Sequence, residues 1–185
     1  VRNNGGGDIS NVGHWVSHFI DKKTLGGYIS HKTGPGHNDF SEPYAFYYEP
    51  AEGHVKWFKP VIVLANRSTY SAANNFVSAM KQLPQVAVAG SVTGGGSGMP
   101  FSSELPCGWA VRFSASPVYD AQMQLTEHGV APTPGAEIDM EPQLALDGTD
   151  TILEFAIDVL NRIAEENRPQ ESPARYLAQK HGKEL

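Results

Sequence analysis

The apolar positions of the chain fall into blocks of different period. Val61–Ala65 is a short, unbroken and mostly β-branched run introduced by Pro60, the pattern of a strand covered on both faces. Polar residues 66–69 end it. From Ala72 the apolar side chains Phe76, Val77, Met80 and Leu83 return at helical spacing, which predicts a helix beginning at or just after Ser71. Residues 85–89 read as a second short strand. Near the other end, Ile152, Phe155, Ala156, Val159, Leu160 and Ile163 form one helical face, and Thr151 with Glu154 three positions on reads as a capping box.

Between these blocks the chain is rich in glycine and aromatics. Asn3-Asn4-Gly5-Gly6-Gly7-Asp8 predicts a tight turn, followed by a helix carrying Ile9, Val12, Val16, Phe19 and Ile20. Residues 26–52, with Tyr44, Phe46, Tyr47 and Tyr48, predict a surface lobe of irregular hairpin structure whose aromatics pack as core or line a cleft. Residues 90–98 read as a long flexible glycine loop. Trp109, Val111 and Phe113 alternate as a strand entered through the Pro106-Cys107-Gly108 turn.

Composition narrows the classes of function. A length of 185 residues fits one domain, and a net charge of −6 without a basic cluster argues against nucleic acid or an anionic membrane as partner. No apolar run reaches membrane-spanning length. The single Cys107 excludes an internal disulfide and a multi-cysteine metal site. His14 and His18 stand four apart on a predicted helix without an evident third ligand, so no metal is expected, and no cofactor motif is present. The chain begins without methionine, as if in the last residues of a strand, and reads as a fragment or processed product.

Ser71 carries the candidate chemistry. At a helix N-terminus, unpaired amides and the helix dipole favour negative charge, so a serine there is either a cap or a nucleophile beside its own oxyanion donors.

Five motifs, in order, resemble peptidase family S41, the tail-specific or C-terminal processing proteases and their tricorn-like relatives. They are Arg2-Asn3-Asn4-Gly5-Gly6-Gly7, Lys59-Pro60 through Asn66, Thr69-Tyr70-Ser71-Ala72, Gly90-Ser91-Val92-Thr93-Gly94, and Glu127-His128-Gly129-Val130-Ala131-Pro132. The resemblance implies an α/β fold, a ClpP/crotonase-like spiral of ββα units, with this chain as the C-terminal part of the catalytic domain. Residues 1–167 would form the peptidase-like unit and 168–185 a tail. It further implies a serine-type endopeptidase acting on polypeptide, exported to the bacterial periplasm or cell envelope, with homo-oligomerisation open.

By the same resemblance Ser71 is the nucleophile, the backbone amides of Ala72 and Gly6 form the oxyanion hole, and Glu127 supports a histidine base. The tail-specific branch carries a general-base lysine where this chain has Gly96, and Lys81 lies too far along its helix to replace it. The tricorn-like branch draws its histidine from upstream of the glycine turn, so the base is expected outside these residues; His128 is the internal rival. Asn74 replaces an acid usual in the family, which puts the support of the nucleophile helix in question. The alternative reading is a catalytically degenerate domain that binds a peptide or an apolar ligand.

Overall fold

The computed structural model describes residues 1–166, 168 and 170–181. Its centre is a two-stranded parallel ribbon, β3 (Val61–Ala65) and β4 (Val86–Gly90), joined by helix α2 (Ala72–Lys81) and paired in register from Val61–Val86 to Ala65–Gly90. Both faces of the ribbon are covered, which is why its strands are apolar without alternation. Val63, Ala65, Val86 and Val88 face helix α1 (Ser10–Val16) and α2, packing on Val12, Val16, Val77 and Met80. Ile62, Leu64, Ala87 and Ala89 face helices α4 (Thr151–Glu165) and α5 (Pro173–His181), where Val159, Ile163, Tyr176 and Leu177 close the second core. A mixed α/β fold was expected, and it is the one observed.

The outer edge of β4 is paired by the segment that follows the 127–132 motif. Thr133 accepts the Val88 amide at 2.9 Å and donates its own amide to Val88 at 2.8 Å; Gly90 N–H reaches Ala136 at 3.1 Å. Beside this core, β1 (Thr24–Ile29) lies between β2 (Tyr44–Tyr48) and β7 (Val118–Tyr119) in an antiparallel sheet. Strands β5 (Pro100–Glu104) and β6 (Ala110–Ser114) form a separate hairpin, and a short helix α3 (Pro142–Leu146) lies on the surface.

Several expectations change. The loop over 90–98 is not a flexible excursion: Thr93, Gly95, Gly96, Ser97 and Gly98 are buried. The aromatics of β2 divide, Tyr44 and Tyr47 being exposed while Tyr48 packs on the core beside α1, and burial pushes the Tyr48 phenol up to about 12. The cap of α4 is Asp150, which accepts the Leu153 amide at 3.0 Å; Thr151 instead donates to the Asp139 carbonyl at 3.0 Å. The stretch read as a tail contains α5, whose Pro173, Tyr176, Leu177 and Ala178 are buried, so residues 173–181 are continuous with the core. Residues 182–185 lie outside the described residues. No described helix is long and apolar enough to cross a membrane.

Candidate active site

Ser71 connects β3 to α2 through a turn that its neighbours impose. Its backbone sits at φ 57° and ψ −125°, and the Ala73 amide donates to the Tyr70 carbonyl at 3.1 Å, the geometry of a type II′ turn whose first central residue is usually glycine. A serine held there costs about 1–3 kcal/mol, sustained only when surrounding contacts fix the backbone. Those contacts are present. Tyr70 N–H donates to Asn4 C=O at 3.0 Å and Ser71 N–H to Gly95 C=O at 2.8 Å, so the first glycine turn and the second glycine loop clamp the serine from two sides. The Ser71 side chain makes no capping bond, although it stands at the cap position of α2. The capping interpretation is therefore excluded by geometry, and the hydroxyl is left to the cavity.

The glycine turn touches this serine directly. A Cβ on Gly6 (φ +95°) would lie 2.7 Å from Ser71 Cβ and 2.8 Å from the Ala72 nitrogen, a separation no side chain tolerates. The absence of a side chain thus lets two backbone segments meet at Ser71. Ala72 N–H, at the first helical position, has no hydrogen-bond partner among the described residues. The Gly6 amide donates to Asn4 Oδ1 at 2.9 Å. An oxyanion accepting from Gly6 must take the place of that side-chain oxygen.

Around the serine lies a cavity of about 500 Å³ walled by the Gly5, Gly6 and Gly7 turn, Tyr70, Gly96, Pro100, and Arg112, Phe113 and Ser114 of β6. Glu127 stands behind this wall. Ser114 Oγ donates to Glu127 Oε1 at 2.5 Å, while Glu127 Oε2 is buried without a hydrogen-bond partner among the described residues. An unpaired buried carboxylate oxygen is costly and marks a place where a donor belongs.

Asn74 locks these parts together. It is fully buried on α2, its amide donating to Ser97 Oγ at 2.6 Å and to the Thr126 carbonyl at 3.0 Å, and its oxygen accepting from the Thr93 hydroxyl. Thr93 Oγ1 in turn accepts the Val130 amide at 2.7 Å. A carbonyl can only accept, so Thr126 requires a donor here, and an acid could not supply two. The residue expected to weaken the nucleophile helix instead ties it to the glycine loop and to the segment carrying Glu127.

Other candidates are not brought to the cavity. Lys81 ends α2 and donates to the Ala131 carbonyl at 2.9 Å; burial lowers its pKa, opposed by Asp120 and Glu137. Ten residues of helix put it about 15 Å from Ser71. His128 is exposed and does not line the cavity, nor do the β2 aromatics. His14, His18 and His54 stack edge to face, at 5.4 and 5.7 Å between successive centroids, and do not line the cavity. Among the described residues no group of three His, Cys, Asp or Glu is arranged to hold a metal ion. Gly96 takes φ +69°, and a side chain there would run into the Tyr70 ring, so no lysine fits at that position without displacing Tyr70. Ser97, Arg112 and Ser114 were not singled out by sequence. Ser97 and Ser114 act through Asn74 and Glu127, 23 and 13 positions away; only the alternation placing Arg112 and Ser114 on one strand face was visible.

The sequence model of peptidase family S41 matches residues 1–134. A solved structure of a candidate peptidase from Parabacteroides merdae ATCC 43184 is 49% identical, with a TM-score of 0.81, over 86% of this chain and 50% of that one. The chain thus spans half the length of that relative. The photosystem II D1 C-terminal processing protease is similar at 21% identity and TM-score 0.53, over 75% of this chain and 33% of its own. For the tricorn protease the values are 22%, 0.51, 86% and 14%. These last two likenesses concern the fold alone. The comparison with curated proteins finds no match.

Proposed function

The chain belongs to peptidase family S41, and on that premise we propose that it carries the catalytic serine of a peptidase that cleaves polypeptide through an acyl-enzyme on Ser71. The observation that carries this reading is the backbone of Ser71: a positive-φ serine at a helix N-terminus whose hydroxyl makes no cap. Strain of this kind, held by contacts from two glycine segments, aims Oγ at a cavity rather than at the helix. The Ala72 amide is the first oxyanion donor in this reading, and Gly6 supplies the second once the carbonyl oxygen displaces Asn4 Oδ1. Each such donor is worth on the order of 3 kcal/mol of transition-state stabilisation.

Ser71 Oγ has no hydrogen-bond partner among the described residues. In the proposed mechanism its proton passes to a histidine supplied from outside residues 1–185, and Glu127 holds that imidazole through Oε2 and stabilises its charged form. The imidazolium then protonates the leaving amine, and water hydrolyses the acyl-enzyme with the same base. Peptide enters as an extended strand along β6, which is paired on one side only, within reach of the cavity. Export to the cell envelope belongs to the same proposal and rests on the family resemblance.

The unpartnered hydroxyl also supports the second reading, a degenerate peptidase that binds but does not cut. Cleavage of an unstructured peptide by the protein with its upstream segment, compared with Ser71→Ala, tests the first. Equal cleavage by both refutes it. A fluorophosphonate probe separates the two readings, because only an activated Ser71 is labelled.

A further inference from the structure

Among the described residues Arg112 is the only charged side chain in the wall of the Ser71 cavity. It pairs across the hairpin with Ser102, and strand alternation places it on the face shared with Ser114, whose hydroxyl is already committed to Glu127. No hydrogen bond or ion pair engages its guanidinium among the described residues. Among the other described arginines, Arg2, Arg162 and Arg168 are paired with carboxylates and Arg67 donates to the Gly94 carbonyl, while Arg175, like Arg112, has no such partner but lies away from the Ser71 cavity. The facing wall is the Gly5, Gly6 and Gly7 turn, which offers backbone and space but no side chain.

We infer that Arg112 is a specificity-determining residue that receives a carboxylate of the peptide close to the scissile bond; this rests on the peptidase reading above. A planar guanidinium takes a carboxylate through two parallel N–H···O bonds, which fixes orientation as well as charge. The net charge of −6 works against anionic ligands at long range, so a preference for them has to arise from a local cation. Glu127 does not line the cavity and its Oε1 is held by Ser114, so the cation and not the anion stands in the wall facing the bound chain. The carboxylate is either an Asp or Glu side chain or the α-carboxylate of a chain end. Both present the same group to Arg112.

The test measures binding by fluorescence anisotropy, using the Ser71→Ala form of the protein with its upstream segment. The ligands are labelled unstructured 12-residue peptides carrying Glu or Gln at successive positions, each with a free or an amidated C-terminus. At one or more positions Glu is expected to bind about tenfold more tightly than Gln, or the free terminus about tenfold more tightly than the amide. Which of the two differs identifies the source. In Arg112→Gln that ratio is expected to fall to near one, and Arg112→Lys to keep part of it. A ratio near one in the arginine form, or a ratio that survives Arg112→Gln, overturns the inference while leaving the peptidase reading intact provided Ser71-dependent cleavage of the neutral peptides is seen. Absence of binding by every peptide overturns both.

Discussion

Asn74→Asp is the substitution whose consequence is set most tightly by the geometry. The side chain keeps its size, but the amide that donates to the Thr126 carbonyl at 3.0 Å and to Ser97 Oγ at 2.6 Å becomes an acceptor. Ser97 can turn its hydroxyl round and donate. Thr126 cannot, and a buried carbonyl left unpaired costs about 1–3 kcal/mol. The carboxylate is also fully buried, as Asn74 is, with hydroxyl donors but no cation among its contacts. A rise of roughly two pKa units above the usual 3.9 corresponds to about 2.7 kcal/mol. A folded pKa raised in this way means the folded state holds the proton more tightly, so stability falls as pH rises from about 4 to about 6 and stays low above that. The expected deficit against wild type is about 4 kcal/mol at pH 8 and about half that at pH 4.5, or roughly 8–16 °C in Tm at the higher pH. Asn74→Ala removes the same bonds without a charge, so its deficit of about 3 kcal/mol is expected not to vary with pH. Thermal and urea unfolding of the three forms at both pH values provides the measurement. An aspartate variant as stable as wild type at pH 8, or equally destabilised at both pH values, refutes the reasoning.

Gly6→Ala places a methyl 2.7 Å from Ser71 Cβ, so fluorophosphonate labelling of Ser71 is expected to slow at least 100-fold; an unchanged rate refutes the shared oxyanion role. Ser114→Ala removes the partner of Glu127 Oε1 and so leaves both carboxylate oxygens unpaired, and is expected to lower kcat/KM about tenfold with little change in Tm, checked by steady-state kinetics beside a melting curve. Arg2 holds Asp150 in two bonds of 2.7 and 2.5 Å, which together with the Leu153 amide brings the Asp150 carboxyl down to about 2. A depressed folded pKa stabilises above about pH 4, and that contribution, about 1 kcal/mol after solvent screening, fades as pH falls toward 2. Asp150→Asn should therefore lower stability at pH 7 and flatten this part of the acid transition; an unaltered acid limb counts against the pair.

The central β3–turn–α2 unit was legible because its signals are local. A β-branched run and a helical period need no distant partner to be recognised, and residues 61–65 and the helix after Ser71 are found where the pattern predicts them. Local signals misled where a distant group intervened. Thr151 and Glu154 have the spacing of a capping box, but Asp150, drawn close by Arg2 from the other end of the chain, takes the cap. The alternation of Trp109, Val111 and Phe113 marks a strand, yet all three are exposed, because β6 belongs to a free hairpin and not to a core sheet. The glycines of residues 93–98 suggest mobility, whereas their lack of side chains allows the loop to be buried against Tyr70 and Ser71.

By itself the sequence determined the central strand, the helix after it, the second short strand and the apolar face of the long helix, and a serine at the start of a helix, since each depends on neighbours within a few positions. Whether that serine caps the helix or faces a cavity was decided only by tertiary structure. The two states differ by the backbone angle of one residue, and that angle is set by amides reaching carbonyls at Asn4 and Gly95, 66 and 24 positions away, whose approach no local pattern records.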